Sequence, residues 1–280
     1  MAVTETTFDI KRYWEERLQE HPDITGVGYL GYSLQFVELY YRSRRHQVEY
    51  ALRRCALIDL AGRCVLDVGS GTGIWLNFWH QRGVHHVTAL DFAQPSVDML
   101  KTRFPDDLIV QADVSVTPLP LPSTACFDII SAFEIFLHVL DRAALERAIS
   151  NMAKHCKPGG WLIISDPIAQ GSGYMPVRTR ATYCTVRPLA EYQEVLATHG
   201  FSIEAVYPAT SLLCMPLEAP NRLTFRMFSM TWRVIARMGR SSRLTSLLGP
   251  IVMRADSLAC RLFTNHNAPG SKIILARKQS

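Results

Sequence analysis

What the chain lacks narrows it first. Its seven cysteines include no Cys-x-x-Cys pair, so no zinc-ribbon or dithiol redox spacing is present. An odd, scattered set of thiols fits a reducing compartment, and a cytoplasmic protein is expected. Cys64 and Cys126 fall in predicted central strands, where a small buried thiol is the ordinary outcome. No apolar stretch is long and uncharged enough to span a bilayer. Residues 1–20 are polar and charged, without the apolar segment of a secretory signal. There is no lysine-rich run and no stacked-aromatic RNA signature, and a net charge of +5 over 280 residues is modest, so no nucleic acid partner is expected. Internal repeats and low-complexity tracts are missing too. What the chain has in quantity is apolar residues, 48% of the total, ample for a two- or three-layer core.

Its most informative segment is Val65-Leu-Asp-Val-Gly-Ser-Gly-Thr-Gly73. An apolar strand runs into a glycine-rich turn, with Asp67 just ahead of the first glycine. Glycines allow positive φ and close approach of backbone to a ligand. The turn then opens a helix, whose first N–H groups are unpaired. A second acid, Asp91, ends the next apolar run, where a carboxylate can accept hydrogen bonds from ribose hydroxyls. The glycines sit at Gly69, Gly71 and Gly73, and position 76 is Leu76, which does not fit the dinucleotide spacing.

This order of strand, acid, glycine turn and second acid resembles the first two motifs of the class I S-adenosylmethionine-dependent methyltransferases. Further segments continue the resemblance in order: Gln111-Ala-Asp113-Val114, Phe127-Asp-Ile-Ile-Ser-Ala-Phe133, and Lys157-Pro-Gly-Gly-Trp-Leu-Ile-Ile-Ser-Asp166. It covers roughly residues 63–166. It implies an α/β fold, a Rossmann-like, seven-stranded, mostly parallel sheet with helices on both faces. The alternation of strands near 63–68, 86–90, 107–111, 126–132 and 160–166 with helices near 73–81, 95–103 and 141–156 points the same way.

Four parts are expected along the chain: a helical N-terminal cap over 1–60, a cofactor-binding core over 61–210, a helical lid insert over 211–268, and the last core strand over 269–280. The insert follows from length. Strands at Phe201–Tyr207 and Lys272–Ala276 are separated by 64 residues, too many for an ordinary loop. Two helices are predicted there, near 219–240 and 243–264, interrupted at Gly239-Arg-Ser-Ser and at Gly249-Pro250. Arginines 222, 226, 233, 237 and 240 alternate with large apolar residues in the first. Two readings stay open: a basic amphipathic surface for a membrane or an anionic, lipid-like ligand, or a lid helix with a solvated face. Insertion through a membrane is not expected. Self-association into a homo-oligomer stays open.

The resemblance implies S-adenosyl-L-methionine as cofactor and assigns residues to it. Asp67 orients the glycine turn and the methionine end, and Gly69, Gly71 and Gly73 form the cradle. Asp91 takes the ribose, Asp113 the adenine amino group, Phe92 and Val114 flank the adenine, and Phe133 lies near the methionine portion. Each of these also has an ordinary reading as a cap, a turn residue or core. His138, after the fourth strand, is the one general base the sequence offers, suited to proton removal near neutral pH; a packing role is the alternative. His155 and His199 look like solvated helix ends. Tyr29 and Tyr32 are the candidates for a substrate pocket. No metal-ligand spacing is present, and the acid cluster of metal-dependent catechol methyltransferases and the Asn/Asp-Pro-Pro-Tyr signature of nucleic-acid base amino methylation are both missing. The acceptor is therefore expected to be a small or medium-sized, fairly apolar molecule, a specialised metabolite or something lipid-like, methylated on a hydroxyl. N- or C-methylation, or a catalytically inactive cofactor-binding partner subunit, are the alternatives.

Overall fold

The computed structural model describes residues 8–169, 175–178, 183–216, 219, 221–262 and 270–280. The first residues of the expected cap, 1–7, and the end of the expected insert, 263–268, lie outside them.

The chain enters through helices α1 (Ile10–Glu20), α2 (Ile24–Val27) and α3 (Leu34–Arg54). Side chains at their first turns begin them: Asp9, Asp23 and Ser33 each accept a backbone N–H of the following turn, which satisfies a donor the helix cannot. Strand and helix then alternate: β1 (Val65–Val68), α4 (Ile74–His80), β2 (Val87–Asp91), α5 (Gln94–Arg103), β3 (Leu108–Gln111), β4 (Phe127–Phe133), α6 (Arg142–His155) and β5 (Cys156–Asp166). Short strands β6 (Ile168–Ala169), β7 (Met175–Arg178) and β8 (Tyr183–Pro188) form a separate small sheet. They are followed by α7 (Leu189–Thr198), β9 (Phe201–Pro208), α8 (Arg222–Gly239), α9 (Ser242–Leu262) and β10 (Lys272–Lys278).

The main sheet has seven strands in the order β3-β2-β1-β4-β5-β10-β9. Only β10 runs against its neighbours. All four residues of β1 are buried, as a central strand covered on both faces must be. Leu66 and Val68 meet α6 and α7 through Leu145, Ile149 and Val195. Val65 faces the other way, into a core built with α3, α4 and α5 from Leu52, Trp79 and Leu100. Successive residues of one strand thus serve opposite layers.

Helix α3 divides its labour. Its second half packs on the sheet, while Phe36, Leu39, Tyr40 and Tyr41 in its first half join Trp232, Ile235 and Met238 of α8. Helix α9 lies on α3 as well. A Cβ at Gly249 would stand 3.2 Å from Leu39, and buried Asp256 accepts from Ser43 Oγ at 2.6 Å and from the N–H groups of Ser211 and Leu212. The insert helices therefore share a core with the cap.

Four expectations are corrected. Gly249-Pro250 does not break the second insert helix; Pro250 lies inside α9, where it removes one helical donor. Cys64 and Cys126 are exposed, because β1 and β4 start one residue after each. His155 is buried, its Nδ1 lying 2.9 Å from the carbonyl oxygen of Ala125. The small β6–β8 sheet was not anticipated; its strands are short and broken by Gly171-Ser-Gly173 in sequence.

Candidate active site

The carboxyl ends of β1, β2 and β4 converge on one cavity of about 380 Å³, the edge at which open α/β sheets bind ligands. The glycine turn forms part of its wall. Gly69 and Gly71 both have positive φ, at 68° and 53°. A Cβ on Gly69 would lie 1.9 Å from the Ile135 side chain, and one on Gly71 would lie 2.8 Å from Val27. Neither position admits a side chain. The turn is a cradle of bare backbone, closed on one side by α2 and on the other by the segment after β4.

Two buried acids hold this turn. Asp91 accepts the Gly71 N–H at 2.8 Å on one oxygen and the Ala93 N–H at 2.9 Å on the other. Burial raises its pKa, and the backbone donors oppose the rise. Asp67 accepts from Ser131 Oγ at 2.6 Å, and Ser131 in turn accepts from the Trp79 indole at 3.1 Å. The second oxygen of Asp67 is buried with no hydrogen-bond partner. Burial pushes Asp67 up to about 7, against the hydrogen bond from Ser131. An orphaned carboxylate oxygen behind a backbone cradle suits a cationic or N–H-bearing ligand.

Beyond β4 the chain turns sharply. Glu134 has φ of 60°, unusual for a residue with a side chain. Three contacts over-determine it. Its N–H donates to the Ser165 carbonyl at 2.7 Å, and its Oε1 accepts from Arg44 Nη1 at 2.6 Å and from the Tyr40 hydroxyl at 2.9 Å. Arg44 is 1% exposed and also donates to Ser165 Oγ at 2.8 Å. Burial is the largest influence and would lower its pKa; Glu134, Tyr40 and Tyr41 together outweigh it and hold Arg44 above the usual guanidinium value.

The next residues, Phe136–His138, form a 3₁₀ turn. Buried Asp166 at the end of β5 accepts the N–H groups of Phe136 and Leu137 at 3.2 and 3.4 Å and the Tyr192 hydroxyl at 3.3 Å. Arg187 donates to the carbonyls of Phe136 and Val139. Burial, then Glu134, pushes Asp166 up to about 8. His138 projects from this clamped turn to the cavity wall. Its ring meets Trp14 edge-on at 5.1 Å, and Nδ1 lies 3.7 Å from Cys184 Sγ.

Of the residues singled out from sequence, Gly69, Gly71, Asp91, Phe92, Phe133, His138 and Tyr29 line the cavity. Asp67 sits behind the turn. Gly73 begins α4, and a Cβ there would meet Phe104 and Leu100. Asp113 accepts from the N–H and hydroxyl of Ser115, closing its own turn. Val114 lies in the α6-side core. Tyr32 stacks on Phe36 at 4.9 Å, away from the cavity wall. Sequence reasoning missed Glu134, Arg44 and Arg17 as site residues. Arg17 reaches the cavity with its guanidinium 4.9 Å over the Trp14 ring, donating to the Gly28 carbonyl and, at 2.7 Å, to the Tyr13 hydroxyl. Only Glu134 carried a signal, its place at the tip of β4.

The methyltransferase domain family matches residues 40–206 of the chain. The chain belongs to this family. It has the fold of the class I methyltransferases, the S-adenosylmethionine-dependent group. Among curated proteins, the ubiquinone biosynthesis O-methyltransferase of Paracidovorax citrulli (strain AAC00-1) is 37% identical over 114 residues, 39% of this chain and 45% of that protein. The protein of the same name from Neisseria meningitidis serogroup C (strain 053442) is 29% identical over 128 residues, 45% of this chain and 52% of that protein. The chain spans about half the length of these curated relatives. Among solved structures, phosphoethanolamine N-methyltransferase 1 of Haemonchus contortus superposes with a TM-score of 0.58 at 12% identity, covering 96% of this chain and 48% of that one. A putative sarcosine dimethylglycine methyltransferase of Galdieria sulphuraria gives 0.52 at 15% identity, covering 82% and 84%. At such identities these neighbours speak for the methyltransferase fold alone.

Proposed function

We propose that this methyltransferase transfers its methyl group to a hydroxyl of a small or medium-sized, fairly apolar acceptor, a specialised metabolite or a lipid-like molecule. The observation that carries the reading is one cavity that joins the glycine cradle and Asp91 to a wall of Tyr29, Trp14, Ile135 and Leu137. The O-methyltransferase names of the curated relatives support the choice of oxygen.

The cofactor supplies an activated methyl on a sulfonium, so the protein mainly binds and orients. In this reading Asp91 accepts hydrogen bonds from the ribose hydroxyls. The backbone of Gly69 and Gly71 receives the methionine end, with Asp67 behind it. Phe92 walls the adenine, and Phe133, stacked on Trp75 at 4.0 Å, walls the methionine portion. Asp113, Val114 and Tyr32 are not among the residues lining the cavity. His138 receives the hydroxyl proton as the acceptor oxygen attacks, held by the turn that Asp166 and Arg187 clamp.

The test is a panel of phenolic, catechol and fatty hydroxy acceptors with methyl-labelled cofactor, the methylated atom being located by NMR. With a hydroxyl acceptor, His138→Ala should lower turnover about 10²–10⁴-fold with little change in cofactor affinity. The loss should shrink as pH rises and the acceptor ionises unaided. Methyl on nitrogen or carbon would remove the O-methylation reading, and a loss of only a few-fold with a flat pH response would remove the base role.

A further inference from the structure

The outward faces of α8 and α9 are not the polar faces of a solvated lid. On α8, Leu223, Met227, Met230 and Val234 recur at i, i+4, i+7 and i+11, each between 60% and 71% exposed. That spacing makes one stripe along the helix, separate from the Trp232, Ile235 and Met238 stripe buried against α3. On α9, Leu244, Leu248, Ile251, Leu258 and Leu262 fall on one exposed face in the same way, with Leu247 beside them at 72%. Of the 19 exposed large hydrophobic residues in the described chain, 11 lie on these two helices. Such concentration marks an interaction surface, whereas scattered single residues would not.

The charge on the same segment is one-sided. Residues 221–262 hold eight arginines and a single acid, Asp256. Asp256 is buried and committed to Ser43 and to the backbone of Ser211 and Leu212. The whole chain is only +5, so the remainder is slightly acidic and the positive charge is concentrated on the insert. Arg222, Arg226, Arg233 and Arg237 recur at i, i+4, i+11 and i+15 of α8 and flank its exposed apolar stripe. All four are exposed.

We propose that α8 and α9 form a docking surface for an anionic membrane, with the leucine and methionine stripes entering the interface and the arginines reaching lipid headgroups. Apolar area plus basic flanks is what interfacial helices combine. A second copy of the chain fits less well, because an isologous contact would bring two arginine-rich faces together. Nucleic acid would use the arginines and leave the apolar stripes in water. No helix among the described residues is long and apolar enough to cross a membrane; the contact is peripheral. Trp232 of α8 lies 5.7 Å from Tyr29, which lines the cavity, so docking would hold the acceptor side of the enzyme near the lipid.

The full-length protein is mixed with vesicles of equal parts phosphatidylglycerol and phosphatidylcholine, or of phosphatidylcholine alone, and binding is read by co-sedimentation. No methyl transfer is involved, so failure here leaves the proposed reaction standing, and the reverse also holds. Binding to the anionic vesicles should be at least tenfold tighter and should weaken as salt is raised. Arg226→Gln with Arg233→Gln should weaken it about thirtyfold, at roughly 1 kcal/mol per basic residue. Leu247→Gln with Ile251→Gln should also weaken it, and both pairs should leave the melting temperature unchanged because the side chains are exposed. Absent or equal binding to the two vesicle types would overturn the proposal. A dimer in sedimentation equilibrium that the Leu247 and Ile251 substitutions dissociate would assign the face to a second copy and overturn it as well.

Discussion

Asp91 shows how one side chain can serve structure and site together. Its two oxygens tie the first turn to the second, through Gly71 and Ala93, and the same carboxylate faces the cavity. Ribose hydroxyls would add donors to lone pairs that the backbone leaves free, since a carboxylate accepts about four hydrogen bonds. Hydrogen bonds to a charged group contribute about 1.5–3 kcal/mol each. Asp91→Ala should therefore weaken cofactor binding at least tenfold in calorimetry, while Asp91→Asn, which keeps one acceptor oxygen, should lose less. Unchanged affinity in a folded Asp91→Ala variant would end the ribose assignment. The glycine turn and the two acids that hold it were legible at this scale because their signals are local. Asp67, Gly69, Gly71 and Asp91 announce themselves by position within one βαβ unit. Asp113 carried the same kind of signal, yet in the structure it closes its own turn with Ser115.

Between elements, a clasp ties α3 to the end of β4 and to β5 at the wall of the cavity. Arg44, Glu134 and Ser165 come from three elements, and together they hold Glu134 at a positive φ that costs about 1–3 kcal/mol. Removing Arg44 leaves Glu134, whose side chain is 29% exposed, open to water on one side, so the cost falls below that of a fully buried pair, at about 1–3 kcal/mol. Arg44→Met should cost that much in urea unfolding. Adding Glu134→Gln should recover part of the loss, because the stranded charge disappears. An additive double mutant would show that the two side chains do not act as a pair. Nothing in the sequence pointed to this clasp. Arg44 stands among Arg42, Arg45, Arg53 and Arg54 on one helix, and its partners lie 90 and 121 positions away. The apolar stripes of α8 and α9 were legible only in part. Helical spacing shows that a face is apolar, but not whether a partner covers it. Here one face of α8 meets α3 and the other meets nothing in the described chain.

The whole molecule buries several carboxyl groups whose pKa values burial raises: Asp67 to about 7 and Asp166 to about 8, with Asp91 and Asp256 also raised. In each, the folded chain keeps a proton that the unfolded chain, with an aspartate pKa of about 3.9, has already released. A raised folded pKa gives stability that is complete below the unfolded value and is lost as pH climbs through the folded value. These groups should make the protein progressively less stable from about pH 4 to pH 8, with each contributing at most about 1.4 kcal/mol per pH unit. His199, whose pKa burial lowers, works in the opposite direction near neutrality. It is one group against four. Asp128, Glu49 and Asp23 have lowered values, so their contribution is lost only as pH falls below the carboxylate range. Urea unfolding of the cofactor-free protein should accordingly show stability falling between pH 5 and pH 8. Asp67→Asn should flatten the part of that slope below pH 7, because the uncharged amide needs no proton to occupy the buried site. A stability that rises with pH across this range, or a slope that Asp67→Asn leaves unchanged, would mean that the orphaned oxygen is solvated in solution, and that the cradle behind Gly69 and Gly71 is more open than its contacts with Ile135 and Val27 imply.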